Sequence, residues 1–178
     1  MAPVDVDEDL DSFQDPVQAA IELALRKARA GAEVWNAQHS AEPALGACVI
    51  GADTIVAVPR GSHWTLLGKP LDERDALRML ALLSGTRHLV ATGVALVRSS
   101  DGETRAGVER TFVSMREITA RERADYVASG EWQGKAGGYA IQESADRFVT
   151  RLEEGGLDNV VGLPVALTLR LLAQLDPR

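Results

Sequence analysis

The sequence predicts an α/β fold in which flanking helices cover a mixed, twisted sheet. Three observations predict it. An apolar run over residues 48–58 has strand character, and residues 88–115 read as one long antiparallel hairpin. Helical patterns open on caps at Asp15, Asp72 and Thr119. A hairpin that long, with helices between strands, argues against a doubly wound parallel sheet.

The totals set the frame. A chain of 178 residues is long enough for a sizeable core, and one domain over residues 1–178 is expected. A net charge of −7 argues against a general nucleic-acid surface. Cys48 is the only cysteine, so no internal disulfide can form. Without a signal-peptide pattern or a long apolar run, no membrane contact is expected, and the cytoplasm is the expected compartment.

Residues 1–14 are acidic and suit a solvated terminus. Asp15-Pro16 begins a helix, with Gln18 placed as in a capping box. Val17, Ala20, Ile21, Ala24, Leu25 and Ala28 follow helical spacing and form its buried face, leaving Lys27 off it. Trp35–Gly46 reads as a loop with a surface His39. The apolar strand follows, and Val58–Leu67 turns as a hairpin at Arg60-Gly61-Ser62, exposing His63 and Trp64.

Asp72 caps a helix that buries Ala76, Met79, Leu80 and Leu83 and stops at Ser84-Gly85. His88 starts the long hairpin, which turns at Ser99–Gly102. Thr119 and Glu122 make a capping box for a helix ending at Ser129-Gly130. A glycine-rich stretch, Glu131–Tyr139, leads to a short strand ending at Gln142, and Phe148–Leu152 forms another strand. Pro164 opens the last helix, with Val165, Leu169, Leu172 and Leu175 facing inward.

Chemistry concentrates at few positions. Asp53 interrupts the most apolar strand. A carboxylate there is either a hydrogen-bonded structural group or a catalytic base and metal ligand, because burying it alone is costly. Asparagine at this position relieves a buried charge, so a gain in stability is expected from Asp53→Asn. Lys69, between Gly68 and Pro70, sits at the end of a neighbouring element, where α/β proteins place their chemistry. Lys135 lies in the glycine-rich stretch, which suits either phosphate approach or an ordinary turn. Gln142 carries a donor and an acceptor, fit for a pyrimidine edge or for backbone.

Five segments, in order, carry a resemblance: GADTIV (Gly51–Val56), GKP (Gly68–Pro70), LSGTRHLVATGVAL (Leu83–Leu96), KAGGYAIQ (Lys135–Gln142) and NVVGLP (Asn159–Pro164). Together they resemble the Maf family of nucleoside triphosphate pyrophosphatases. The resemblance implies the Maf/inosine-triphosphatase-like fold, an elongated sheet with a cleft between two lobes, often as a homodimer. It implies hydrolysis of a nucleoside triphosphate to the monophosphate and pyrophosphate. It implies a divalent cation, Mg²⁺ or Mn²⁺, held by Asp53 and by Glu8 of VDVDED, which looks like the family's D-x-D-E segment. Asp53 would be catalytic, and Lys69, Lys135 and Lys27 (in LALRKA, like the family's L-A-x-x-K-A) would meet the phosphates. Thr54 with Gln142 resembles the dTTP/UTP type.

Two features depart from the family pattern. The family's first strand and S-x-S-P-R-R loop have no counterpart within these residues, so a chain extended by them is expected to be more stable and to bind triphosphate more tightly. Glu143 stands where the family usually has glycine. A nucleotide-binding or regulatory protein without turnover, and an interaction protein that only keeps the fold, are the alternatives to an enzyme.

Overall fold

The computed structural model describes residues 6, 9–10, 12–40 and 46–175. Five antiparallel strands form its sheet, in the order β2-β1-β3-β4-β5. They are β1 (Cys48–Arg60), β2 (His63–Leu67), β3 (Arg87–Arg98), β4 (Thr104–Met115) and β5 (Val149–Glu153). β1 and β3 pair from Cys48↔Arg98 to Ala57↔Leu89, whereas β2 covers only Val56–Arg60. The other edge of β1 over residues 48–55 therefore carries no strand among the described residues.

Helix α1 (Pro16–Gln38) lies on one face of the sheet. Asp15 caps it, accepting from the Val17 N–H at 2.9 Å, with proline at the first helical position. Its buried face is Ala19, Ala20, Leu23, Ala24, Ala28 and Ala32. Two glycines let it sit close. A Cβ on Gly93 would fall 2.1 Å from the Ala20 carbonyl oxygen, and one on Gly51 would fall 2.4 Å from that of Ala24. Val17, Ile21 and Leu25, expected to be buried, are only partly so, because the helix rolls its alanines onto those glycines. α1 also runs through Trp35–Gln38, where a loop was expected. The His39 ring stacks on Trp35 with centroids 3.9 Å apart, and its Nδ1 lies 2.9 Å from the Trp35 carbonyl oxygen, continuing the helical turn.

The opposite face holds the larger core. Helix α2 (Glu73–Leu83), capped by Asp72, buries Ala76, Met79, Leu80 and Leu83 as expected. Helix α3 (Ala120–Ser129) has the full Thr119–Glu122 capping box and ends on Gly130 at φ 78°. Tyr126, Phe148, Trp132, Tyr139 and Met115 fill the space between these helices and the sheet. Helices α4 (Leu157–Val161) and α5 (Val165–Leu175) cover the rest of β3 and β4.

Three expectations need correction. α5 turns Leu167, Thr168, Leu171 and Leu175 inward, while Val165, Leu169 and Leu172 stay exposed. The helix is apolar nearly all round, so periodicity could not choose its face. Gly107 on β4 chose it, by leaving room for Leu167 and Leu171. No strand precedes Gln142; residues 139–143 are extended backbone and turn, since a 3₁₀ turn at Ala136–Gly138 bends the chain first. Trp64 is half-buried against the α1-side core rather than exposed.

Candidate active site

The site lies beside Ala52–Thr54 of β1. Successive strand residues face opposite sides, so β1 serves both faces here. Asp53 points to the α1 side. Because Gly51 and Gly93 draw α1 so near, the Lys27 ammonium reaches Asp53 and the two form an ion pair. The Asp53 side chain keeps only 9% of its exposure and that of Lys27 keeps 21%. A carboxylate so enclosed is stabilised by this cation, which accounts for a charge inside an apolar strand. Asparagine at this position removes that attraction, so the expected gain in stability from Asp53→Asn is reversed in sign.

Thr54 points the other way, into a cleft lined by Asp53, Thr54, Lys69, Lys135 and Gln142. Two short segments bring these together. The Gly137 N–H donates to the Gly68 carbonyl oxygen at 2.9 Å, tying the glycine-rich turn to the loop that carries Lys69. Gly137 adopts φ 69°, and a Cβ there would meet Val56 at 3.0 Å, so the turn lies directly on β1.

Tyr139 pins the same turn from below. Its hydroxyl lies 3.0 Å from Nε2 of His88, which is wholly buried on β3. Burial pushes the His88 ring down to about 3 and raises the Tyr139 phenol, so both are neutral near pH 7. The Ala140 N–H donates to the Tyr126 hydroxyl at 3.2 Å.

Lys135 stands 3.8 Å from Glu143. The residue that departs from the family pattern thus faces a lysine expected to meet phosphate. Glu8 lies outside the described residues. Among the described residues, no group of three or more His, Cys, Asp or Glu could hold a metal. Among the described residues that line the cleft, Asp53 is the carboxylate that a divalent cation would use.

The family profile described as Maf-like protein matches residues 1–175. The chain belongs to the Maf family. Its Maf relatives include the dTTP/UTP pyrophosphatase of Caulobacter vibrioides, 43% identical over 99% of this chain and 83% of that protein. The protein of the same name from Hyphomonas neptunium is 42% identical over 100% of this chain and 84% of that protein. A third, from Geobacillus sp., is 42% identical over 96% and 83%.

Within this Maf chain the structure brings together Asp53, Thr54, Lys69, Lys135 and Gln142, with Lys27 joined through Asp53. Sequence reading missed the residues behind them. Thr92, buried on β3, lies 3.0 Å from the Thr54 hydroxyl and donates to the Asn159 carbonyl oxygen at 2.7 Å. Asn159, also buried, donates from Nδ2 to Thr111 Oγ1 at 2.8 Å and to the Val90 carbonyl oxygen at 3.2 Å. A signal was present: Thr92 and His88 interrupt an apolar run as Asp53 does, and buried polar groups need partners.

Proposed function

We propose that the chain is a nucleoside triphosphate pyrophosphatase acting on dTTP and UTP. The observation that carries this reading is the cleft itself, whose lining brings Asp53 and Thr54 of β1 together with Lys69, Lys135 and Gln142, in a chain whose relatives bear the name dTTP/UTP pyrophosphatase. A triphosphate carries concentrated negative charge, and Lys69 and Lys135 offset it in a chain that is otherwise acidic. Lys27 pairs with the Asp53 carboxylate and orients it.

Asp53 then orients a water and takes its proton as the water oxygen bonds to the α-phosphorus. The bridging P–O bond breaks, and its electrons leave with pyrophosphate. Asp53 would be one of the ligands of a divalent cation, Mg²⁺ or Mn²⁺, which would supply charge neutralisation at the phosphates. Thr54 and Gln142 meet the base.

No helix among the described residues is long and apolar enough to cross a membrane. We place the enzyme in the cytoplasm with its nucleotide substrates. A homodimer has a candidate surface in the exposed side chains Leu157, Val161, Val165, Leu169 and Leu172 of α4 and α5.

The test is product analysis. With Mg²⁺ or Mn²⁺, dTTP and UTP should each yield one monophosphate and one pyrophosphate. Release of single orthophosphate, or equal turnover of all nucleoside triphosphates, would contradict the proposal. Binding without turnover would favour a nucleotide-binding protein.

A further inference from the structure

The hydroxyl of Thr54 reaches the cleft with its proton already engaged. Thr92 donates to the Asn159 carbonyl oxygen at 2.7 Å, and a threonine hydroxyl has one proton to give. In the 3.0 Å contact between Thr92 Oγ1 and Thr54 Oγ1, the donor must therefore be Thr54. Only lone pairs of the Thr54 oxygen remain for the cleft. Asn159 cannot turn its carbonyl away, because its side chain is bonded to both Val90 and Thr111 and is fully buried. The direction of this chain of hydrogen bonds is imposed from the core outward.

We propose that Thr92 is a positioning residue for base selection. It holds Thr54 as a fixed hydrogen-bond acceptor, which favours a base edge offering an N–H donor over one offering a lone pair. This inference rests on the reading that Thr54 and Gln142 meet the base. Uracil and thymine present N3–H at that edge, and cytosine presents a bare N3. Gln142 cannot make this distinction alone. Its amide offers a donor on one side and an acceptor on the other, and half a turn exchanges them. It can therefore satisfy either the O4 of uracil or the amino group of cytosine. Facing cytosine, Thr54 sets lone pair against lone pair and has no proton to turn.

The experiment compares kcat/KM for UTP and CTP in the wild type, Thr92→Val, Thr92→Ser and Thr54→Val. Valine keeps the shape of Thr92 but removes the hydroxyl, so Thr54 can rotate its proton into the cleft. The preference for UTP should fall about tenfold or more in Thr92→Val, mainly through faster CTP turnover. It should persist in Thr92→Ser, which keeps the relay, and fall in Thr54→Val. A preference that survives Thr92→Val but collapses in Thr54→Val overturns the relay and leaves the base reading intact. A preference that survives Thr54→Val overturns the base reading and the relay with it.

Thr92→Val also takes one of two donors from a buried carbonyl, leaving the Gly162 N–H at 3.1 Å. If circular dichroism shows that this variant does not fold, wild-type turnover of two analogues decides. 4-Thio-UTP keeps N3–H and should be hydrolysed at a rate close to that of UTP. N3-methyl-UTP lacks the donor and should fall to the level of CTP or below. The reverse order overturns the proposal.

Discussion

The two faces of the sheet are filled by opposite means. On the α1 side the closest approach is made of alanine and glycine, with Ala20, Ala24 and Ala28 set against Gly51, Gly93, Ala91 and Ala95, and larger side chains such as Leu23, Ile55 and Leu89 beside them. On the other side it is made of large side chains, Tyr126, Phe148, Leu80, Leu83 and Met79 among them, crossed by polar pegs such as His88–Tyr139. A small-residue contact brings backbones together and fixes a distance, which is how Lys27 reaches Asp53. It has no rotamers with which to absorb a change. A large-residue contact can repack, so it needs hydrogen bonds to hold a turn in one place. The charged pair stands on the rigid face, and the groups expected to meet the base stand on the adaptable one.

The largest effect should come from breaking the charged pair. Asp53→Asn keeps the volume and removes the charge. Pyrophosphate release from dTTP should fall by roughly a thousandfold or more, the scale of losing a general base and a preorganised charge. Stability should drop by about 1–3 kcal/mol, because Lys27 loses this carboxylate. Steady-state assay at saturating Mg²⁺ with urea denaturation measures both. A variant with wild-type turnover would remove Asp53 from the chemistry.

Next in size is a direct contrast of the faces. Gly93→Ala places a methyl against the Ala20 carbonyl oxygen and should destabilise by about 3 kcal/mol, because neither backbone can yield. Met79→Leu, a volume-conserving change in the larger core, should cost less than about 1.5 kcal/mol. Equal urea midpoints for the two variants would show that the α1 face repacks as readily as the other.

The smallest effect sharpens the role of the polar pegs. Burial takes the His88 ring from 6.5 to about 3. Above pH 6.5 the ring is neutral in both states, and its contribution to stability is complete. As pH falls below about 6.5 the unfolded chain binds a proton that the folded chain refuses, so stability declines until about pH 3. One such proton accounts for a slope of at most about 1.4 kcal/mol per pH unit. His88→Gln, which stays neutral and can still bond Tyr139, should flatten the curve between pH 6.5 and 4.5. Identical slopes in the two proteins would assign the acid limb to carboxylates instead.

Much of the fold was legible because its signals are local. The caps at Asp15, Asp72 and Thr119, the hairpin turns and the buried face of α2 each rest on residues within about one helical turn or one tight turn of each other. Asp53 was legible as a charge in an apolar strand, and Lys69, Lys135 and Gln142 through their short motifs. The inward face of α5 was not legible, because a helix whose one charged side chain is Arg170 marks its sides only weakly until a neighbour supplies a contact. The turn at residues 139–143 reads as a strand by composition, but Gly137 and Gly138, at φ 69° and 70°, bend the chain before a strand can begin.

By itself, the sequence determined which residues are available to the site and which elements carry them, since both follow from side-chain chemistry and from short-range backbone preference. Tertiary structure alone decided how those residues act on one another. Lys27 and Asp53 are 26 residues apart, and Thr92 and Asn159 are 67 apart. No local pattern sets the distance between such groups. It is set by how closely α1 can approach two glycines and by where α4 docks on β3. Even the direction of the Thr54 hydroxyl follows from a carbonyl buried on a different element, because a single proton in a closed chain of oxygens can be placed only once every partner is known.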